Sequence, residues 1–288
     1  MALTEKGPSC RVCMGMILLC KLHKTEPSTS VMTESQPTLH AYEWIAGLEK
    51  GLSVVEAFDA DHPRMTATEV GVRCNLTRTA ARRYLKTLAH LGYMGTDGKH
   101  FWLMPRILRL GHAYIASARL PRLVQPYLQR ITAGTDEIAY LGVLDGDDTI
   151  FLGRSGSPRH TASGYWPGTR VPAQVTAAGM AILSSMTETD MDAWLNDRQL
   201  PAFTSYTLAE TARLRSALMV YRHQGWAVSE QQLELNYRGV SVPLLDRHNR
   251  PHGAISITMP INREETDHAL MRVLPVMQEV AKNLRPLL

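Results

Sequence analysis

Residues 77–91 read Thr-Arg-Thr-Ala-Ala-Arg-Arg-Tyr-Leu-Lys-Thr-Leu-Ala-His-Leu, and their charges are spaced to grip a polyanion. Ala81, Leu85 and Leu88, joined by Tyr84, recur at helical steps and form an inward stripe. Arg78, Thr79, Arg82, Arg83 and Lys86 fall on the outer side. Each arginine offers a donor fork that matches a guanine edge or a phosphate. A helix with several such groups on one face can enter the major groove of double-stranded DNA. Thr77 and Thr79 are short enough to let the N-terminal backbone approach a phosphate, which the helix dipole favours. The window from Arg73 to Arg109 holds eight Lys/Arg against one acid, Asp97, so it carries +7 while the whole chain carries +4. That asymmetry points to a polyanionic partner for this segment. The competing reading is a solvated basic face.

A second constellation could hold a small anion. Val175-Thr176-Ala177-Ala178-Gly179 opens a helix with small side chains, which leaves backbone N–H groups open to a carboxylate. Ser256 and Thr258 alternate with Ile255 and Ile257, so both hydroxyls face one side of a strand. Arg170 could pair with a carboxylate or serve a structural ion pair. Tyr165 and Trp166 could stack on an aromatic ligand, although packing is the commoner use of such residues. The histidines, such as His160, His223 and His252, show no metal spacing. Cys10, Cys13, Cys20 and His23 could in principle hold zinc, but structural sites place more residues between the two ligand pairs, and no metal site is assigned. Only Cys74 lies beyond residue 20, which fits a reducing compartment. No nucleophile elbow, Walker loop, zincin motif or dinucleotide fingerprint occurs, so neither a catalytic residue nor a cofactor is expected.

These groups need elements to position them. From Trp44 to Phe58, Ile45, Leu48, Leu52, Val55 and Phe58 follow helical steps. Thr66 and Glu69 form a capping-box pair for a short helix ending near Arg73. Cys74-Asn75-Leu76 is a turn. Thr77 caps the basic helix, and Gly92 ends it after Leu91. Residues 93–104 read as a hairpin with Thr96-Asp97-Gly98-Lys99 at its tip. Lys99 and His100 there, and Arg64 and Thr66 before the second helix, could reach the DNA backbone. Arg106–Ala118 is a connecting helix. Beyond it, helices are expected at 121–133, 177–185, 209–224 and 266–284, and strands at 138–144, 149–152, 239–245 and 252–259. The 14–20 apolar run is too short to span a membrane. Residues 1–40 read as a disordered arm, with Met32 as an alternative start.

Several segments in this order resemble the IclR-type family of bacterial transcription regulators, over about residues 44–288. The stretch 47–58, GLEKGLSVVEAF, resembles the family's first helix, and 77–93 its recognition helix. LGVLDGDDTIFLGR at 141–154, GTRVPAQVTAAGMAILS at 168–184, and the segments 225–246 and 251–259 resemble its effector domain. GTRVPA and TRTAARRYL are most similar to the Pca/Pob-type branch, which regulates protocatechuate, p-hydroxybenzoate and β-ketoadipate catabolism. The resemblance implies an α+β chain: a winged helix-turn-helix (41–104), a linker helix (105–120) and a GAF/PAS-like α/β effector-binding and oligomerisation domain (121–288). It implies effector contacts at Ala177, Ala178, Ser229 or Glu230, Gly239, Ser256 and Thr258. Some members carry a glycine, acid or cysteine at matching points where this chain has Ala177 and Gly239.

The expected function is operator binding through Arg64, Thr66, Thr77, Arg78, Thr79, Arg82, Arg83, Lys86 and Lys99, controlled by a small organic acid, aromatic by resemblance, with Arg170 as a further candidate contact. A homodimer or tetramer, RNA polymerase as a further partner, and a cytoplasmic, nucleoid-associated location in a bacterium complete the expectation, with no membrane partner. The alternatives are an adaptor whose winged helix docks a protein, or an enzyme built on the GAF-like domain.

Overall fold

The structure is a computed structural model that describes residues 40, 43–156, 164–196 and 198–288. The cysteine cluster, His160 and nearly all of the N-terminal arm lie outside the described residues. The described chain divides into two compact units, which part between Ala116 and Ser117.

The first unit contains helices α1 (Ala46–Glu56), α2 (Ala67–Arg73), α3 (Arg78–His90) and α4 (Leu108–Ser117), with short strands β1 (Met65–Thr66), β2 (Met94–Thr96) and β3 (His100–Leu103). The strands pair antiparallel in the order β1-β3-β2. Val54, Val70, Ala81, Leu85 and Phe101 form the centre of its core. Helix α2 begins with the expected capping box: Thr66 Oγ1 accepts the Glu69 N–H, and Glu69 accepts the Thr66 N–H at 2.7 Å. The tight turn to α3 depends on Gly71, where a Cβ would lie 2.8 Å from the Leu76 carbonyl oxygen. The first helix differs from expectation in burial. Only Val54 is buried within α1, and Ile45 and Leu48 are 69% and 60% exposed. The apolar stripe is therefore real: Val55 and Phe58 pack into the core, while Ile45, Leu48 and Leu52 stay uncovered among the described residues. In α4 no residue is buried, and Leu108, Leu110 and Tyr114 are exposed.

The second unit is a six-stranded antiparallel sheet in the order β6-β5-β4-β9-β8-β7. Its strands are β4 (Ile138–Asp145), β5 (Asp148–Ser155), β6 (Arg170–Pro172), β7 (Ala227–Glu230), β8 (Tyr237–Leu245) and β9 (Pro251–Pro260). Its helices are α5 (Arg119–Thr135), α6 (Ala177–Ser185), α7 (Glu188–Leu195), α8 (Thr211–Gln224) and α9 (Thr266–Leu284). Strand alternation sends Leu141, Val240, Val242, Ile255 and Ile257 to the face covered by α5 and α9. Ile138, Tyr140, Phe151 and Ala254 point to the other face, which α6, α7 and α8 cover with Ala178, Ile182, Met191, Trp194 and Leu214. Sequence periodicity missed β6, β7 and α7, all of eight residues or fewer. Among the described residues no helix is long and apolar enough to cross a membrane.

Candidate nucleic-acid interface and ligand site

Helix α3 folds as its stripe dictates. Thr77 caps it, accepting the Ala80 N–H at 3.2 Å, and Ala81 and Leu85 are fully buried. Arg78, Thr79, Arg82, Arg83 and Lys86 are all exposed on the opposite side. Arg78, Arg82 and Lys86 follow one another at i, i+4 spacing and so form a single ridge, with Thr79 and Arg83 beside it. None of the four cations has an ion-pair partner among the described residues. A row of uncompensated cations on a helix backed by a three-stranded wing is a surface that a polyanion would neutralise.

The flanking candidates are less free. Arg64 lies over the Trp102 ring, 4.3 Å from its centroid, and pairs with Asp97 at 3.2 Å. It braces the hairpin. Gly95 makes this possible, because a Cβ there would lie 2.5 Å from the indole. The Thr66 hydroxyl is engaged by Glu69 within the capping box. Lys99 is exposed at the hairpin tip. Asp97 accepts the N–H groups of His100 and Lys99, which hold its pKa down at about 2.

In the second unit the register brings the ligand candidates together on the face of the sheet that carries α6. One row across the strands is Ser229, Gly239, Thr258 and Ile138. The next is Ala227, Ser241, Ser256, Tyr140 and Arg154. Ala177 and Ala178 sit above these rows at the start of α6. Their smallness serves packing: a Cβ on Gly239 would approach the Ala177 Cβ to 3.1 Å, and one on Gly142 would approach the Ala178 Cβ equally closely. The Gly179 N–H is taken by the Thr176 hydroxyl at 3.0 Å. The expected open anion cradle at this helix start is thus partly closed by its own cap.

Several predicted polar contacts are already satisfied within the protein. Ser229 donates to the Val175 carbonyl at 2.6 Å, and Ser256 to the Val240 carbonyl at 3.2 Å. Glu230 accepts from Arg238 and from the Thr266 hydroxyl. Arg170 resolves toward its structural alternative: it is exposed on the edge strand β6, paired with Asp148 at 3.1 Å and Asp145 at 3.4 Å. Tyr165 likewise packs in the core, stacked on Phe151 with ring centroids 4.4 Å apart. Trp166 is exposed and lies under the Arg154 guanidinium at 4.4 Å.

The group that sequence reasoning missed is Tyr140. It is fully buried, with Phe151 and Tyr165 rings around it. Its hydroxyl has no hydrogen-bond partner. Burial pushes the phenol's pKa up, while the Arg154 guanidinium and the Tyr165 backbone lie near enough to offset part of that without completing a bond. Gly164 stands over the hydroxyl with φ +92°, and any side chain there would collide with it. A buried hydroxyl left unbonded costs about 1–3 kcal/mol. The cost is recovered if a ligand supplies the missing partner.

A winged helix-turn-helix with a bare basic ridge, followed by a separate sheet-and-helix domain, defines a DNA-binding regulator. The comparisons give the particular family. The model of the IclR helix-turn-helix domain matches residues 47–98, and that of the bacterial transcriptional regulator IclR C-terminal domain matches 112–285. The Pca operon regulatory protein of Acinetobacter baylyi is 33% identical over 250 residues, covering 85% of this chain and 90% of that protein. The p-hydroxybenzoate hydroxylase transcriptional activator of the same organism is 33% identical over 258 residues, covering 88% and 95%. The inducer-binding domain of the Acinetobacter transcription factor PobR, solved as a double mutant with 3-hydroxybenzoic acid, superposes with a TM-score of 0.55. That match has 27% identity and covers 59% of this chain and all of that one. This chain belongs to the IclR family of transcription regulators, and its relatives place it in the Pca/Pob branch.

Proposed function

We propose that this regulator binds a small aromatic acid on the α6 face of its sheet, and that the bound acid sets its affinity for operator DNA. The observation that carries this reading is the buried, unbonded Tyr140 hydroxyl beside Arg154, at one end of the row that includes Ser256. An acid group there would accept from the phenol and lie close to the guanidinium, while its ring would meet an aromatic wall. Small residues at Ala177, Ala178 and Gly239 shape the space, and Thr258 offers a half-buried hydroxyl. The reported ligand of the PobR inducer-binding domain supports an aromatic acid for this chain as well.

On the DNA side, Arg78, Thr79, Arg82, Arg83 and Lys86 are the reading contacts, with Thr77 at the helix start and Lys99 on the wing. Arg64 and Thr66 act through the hairpin brace and the helix cap. The uncovered stripe of Trp44, Ile45, Leu48 and Leu52 suits a second copy of the chain, and a paired reading helix would match a near-palindromic operator. The linker helix α4 would carry the effector's influence to the reading helices. The role is regulatory rather than catalytic, in the bacterial cytoplasm at the nucleoid, with RNA polymerase as a further partner.

Calorimetry of the full chain tests this. Benzoate, 4-hydroxybenzoate and protocatechuate should bind, and aliphatic acids of the same charge should bind more weakly. Operator affinity should change when the ring-bearing acid is present. A chain that binds none of the aromatic acids would end this reading.

A further inference from the structure

The opposite end of α6 carries a second cleft, unrelated to the Tyr140 site. Its volume is about 510 Å³, within the range of small-molecule sites. Three helices end there. The last turn of α6 contributes Ser184 and Ser185, with Met186 just after it, that of α8 contributes Tyr221 and Arg222, and that of α9 contributes Ala281 and Lys282. The floor is β8 beyond Ser241, where the strand runs past the end of β7 and presents Val242, Pro243 and Leu245. Proline is tolerated in a strand at such an unpaired edge.

The cleft's polar lining is one-signed. Arg222, Lys282 and Arg285 face it, and no acidic residue lines it. Part of this charge is explained by the helix ends, since each C-terminus carries roughly half a negative charge. Arg222 illustrates that use, donating to the Met186 carbonyl at 2.7 Å at the end of α6. A nearby acid, Asp192, feels the Arg222 charge but is already bonded by Arg215, and three half charges still fall short of three full cations. The surplus shows in individual groups. Arg222 Nε is buried and bonded to nothing. Lys282 is exposed and has no partner among the described residues. Arg285 has only the neutral Asn249 side chain as its side-chain partner. Beside these donors lies apolar surface from Met186, Tyr221 and Leu245.

We infer that this cleft binds a small organic dianion with an apolar body, its acid groups on Arg222, Lys282 and Arg285 and its body against Met186 and Tyr221. Binding would relieve the repulsion among the cations and supply a partner for the buried Arg222 Nε, the unmet donor at this cleft. The site is independent of the effector reading, because it shares no lining residue with the Tyr140 face.

Phthalate is a suitable probe. It is titrated calorimetrically into the full chain with 4-hydroxybenzoate in excess, at constant ionic strength, for the natural protein and for K282E/R285E. Both substituted residues are exposed, so the fold is retained, and circular dichroism checks this. The natural protein should bind phthalate, and the double variant should bind it at least about tenfold more weakly, which corresponds to about 1.4 kcal/mol. Both should bind 4-hydroxybenzoate equally when it is titrated alone. Inorganic sulfate should bind far more weakly than phthalate, since it lacks the apolar body. Absence of phthalate binding to the natural protein, equal binding by the double variant, or sulfate binding as tight as phthalate would each overturn the inference.

Discussion

Replacing Tyr140 by phenylalanine should make the effector domain more stable and its ligand binding weaker. The substitution removes one oxygen and keeps the ring that Phe151 and Tyr165 contact. That oxygen is buried and unbonded, so its removal should return about 1–2 kcal/mol of desolvation cost. For a unit of this size 1 kcal/mol shifts Tm by about 2–4 °C, so the variant should melt roughly 2–8 °C higher without ligand. With ligand the sign reverses. Loss of one hydrogen bond to a charged acid group costs about 1.5–3 kcal/mol, or roughly a 10- to 150-fold rise in Kd. Differential scanning calorimetry reads the first effect, and titration with 4-hydroxybenzoate reads the second. The pairing of signs separates function from structure, because a hydroxyl that only supported the fold would lose stability when removed. A Y140F protein that melts lower, or that binds the acid as tightly as before, would refute the reasoning.

Three further outcomes follow from the geometry. Arg82→Ala with Arg83→Ala should abolish most operator binding while leaving effector binding intact, and any residual binding should show a log–log salt slope smaller by about two per protomer. Gly179→Ala should destabilise the second unit by about 3 kcal/mol or more in a denaturant melt, because its Cβ would lie 2.3 Å from the Ala173 carbonyl oxygen. The wing should be acid-sensitive. The Asp97 carboxyl is held at about 2 against an ordinary 3.8, so its contribution is complete above that ordinary value and is lost as pH falls toward 2. The Trp102 indole N–H resonance should titrate over that interval, and Asp97→Asn should flatten the change.

How much of this was legible in the sequence depends on the range of the interaction that carries each feature. The reading helix was legible because its evidence is local. A cap at Thr77, a stripe through Ala81 and Leu85 and an uncompensated outer face can all be read within four residues of one another. The α1 stripe was equally legible as a pattern, but its burial was not. Periodicity says that Ile45, Leu48 and Leu52 want cover, and does not say whether the same chain supplies it. Strands β6 and β7 span three and four residues, too few to display an alternation.

The proposed ligand site was hardest to read because nothing near Tyr140 in the sequence marks it. It sits in Ile138–Leu144, an apolar run that reads as ordinary core, and it is ordinary core by burial. Its distinction arises only when β5 places Arg154 beside it and β9 places Ser256 on its other side. The serines drew attention because hydroxyls on one face of a strand suggest a pocket. Yet Ser229 and Ser256 spend their protons on the carbonyls of Val175 and Val240. A hydroxyl's proximity to a cavity therefore says little, and its unmet hydrogen bond says more. Ser256 has a neighbouring carbonyl within reach, whereas the phenol of Tyr140 projects its oxygen well past the backbone of its own sheet. On a packed sheet face a long side chain with a terminal polar atom is the one the backbone is least able to satisfy. That makes a lone tyrosine in an apolar strand a better pointer to a polar ligand than a nearby serine.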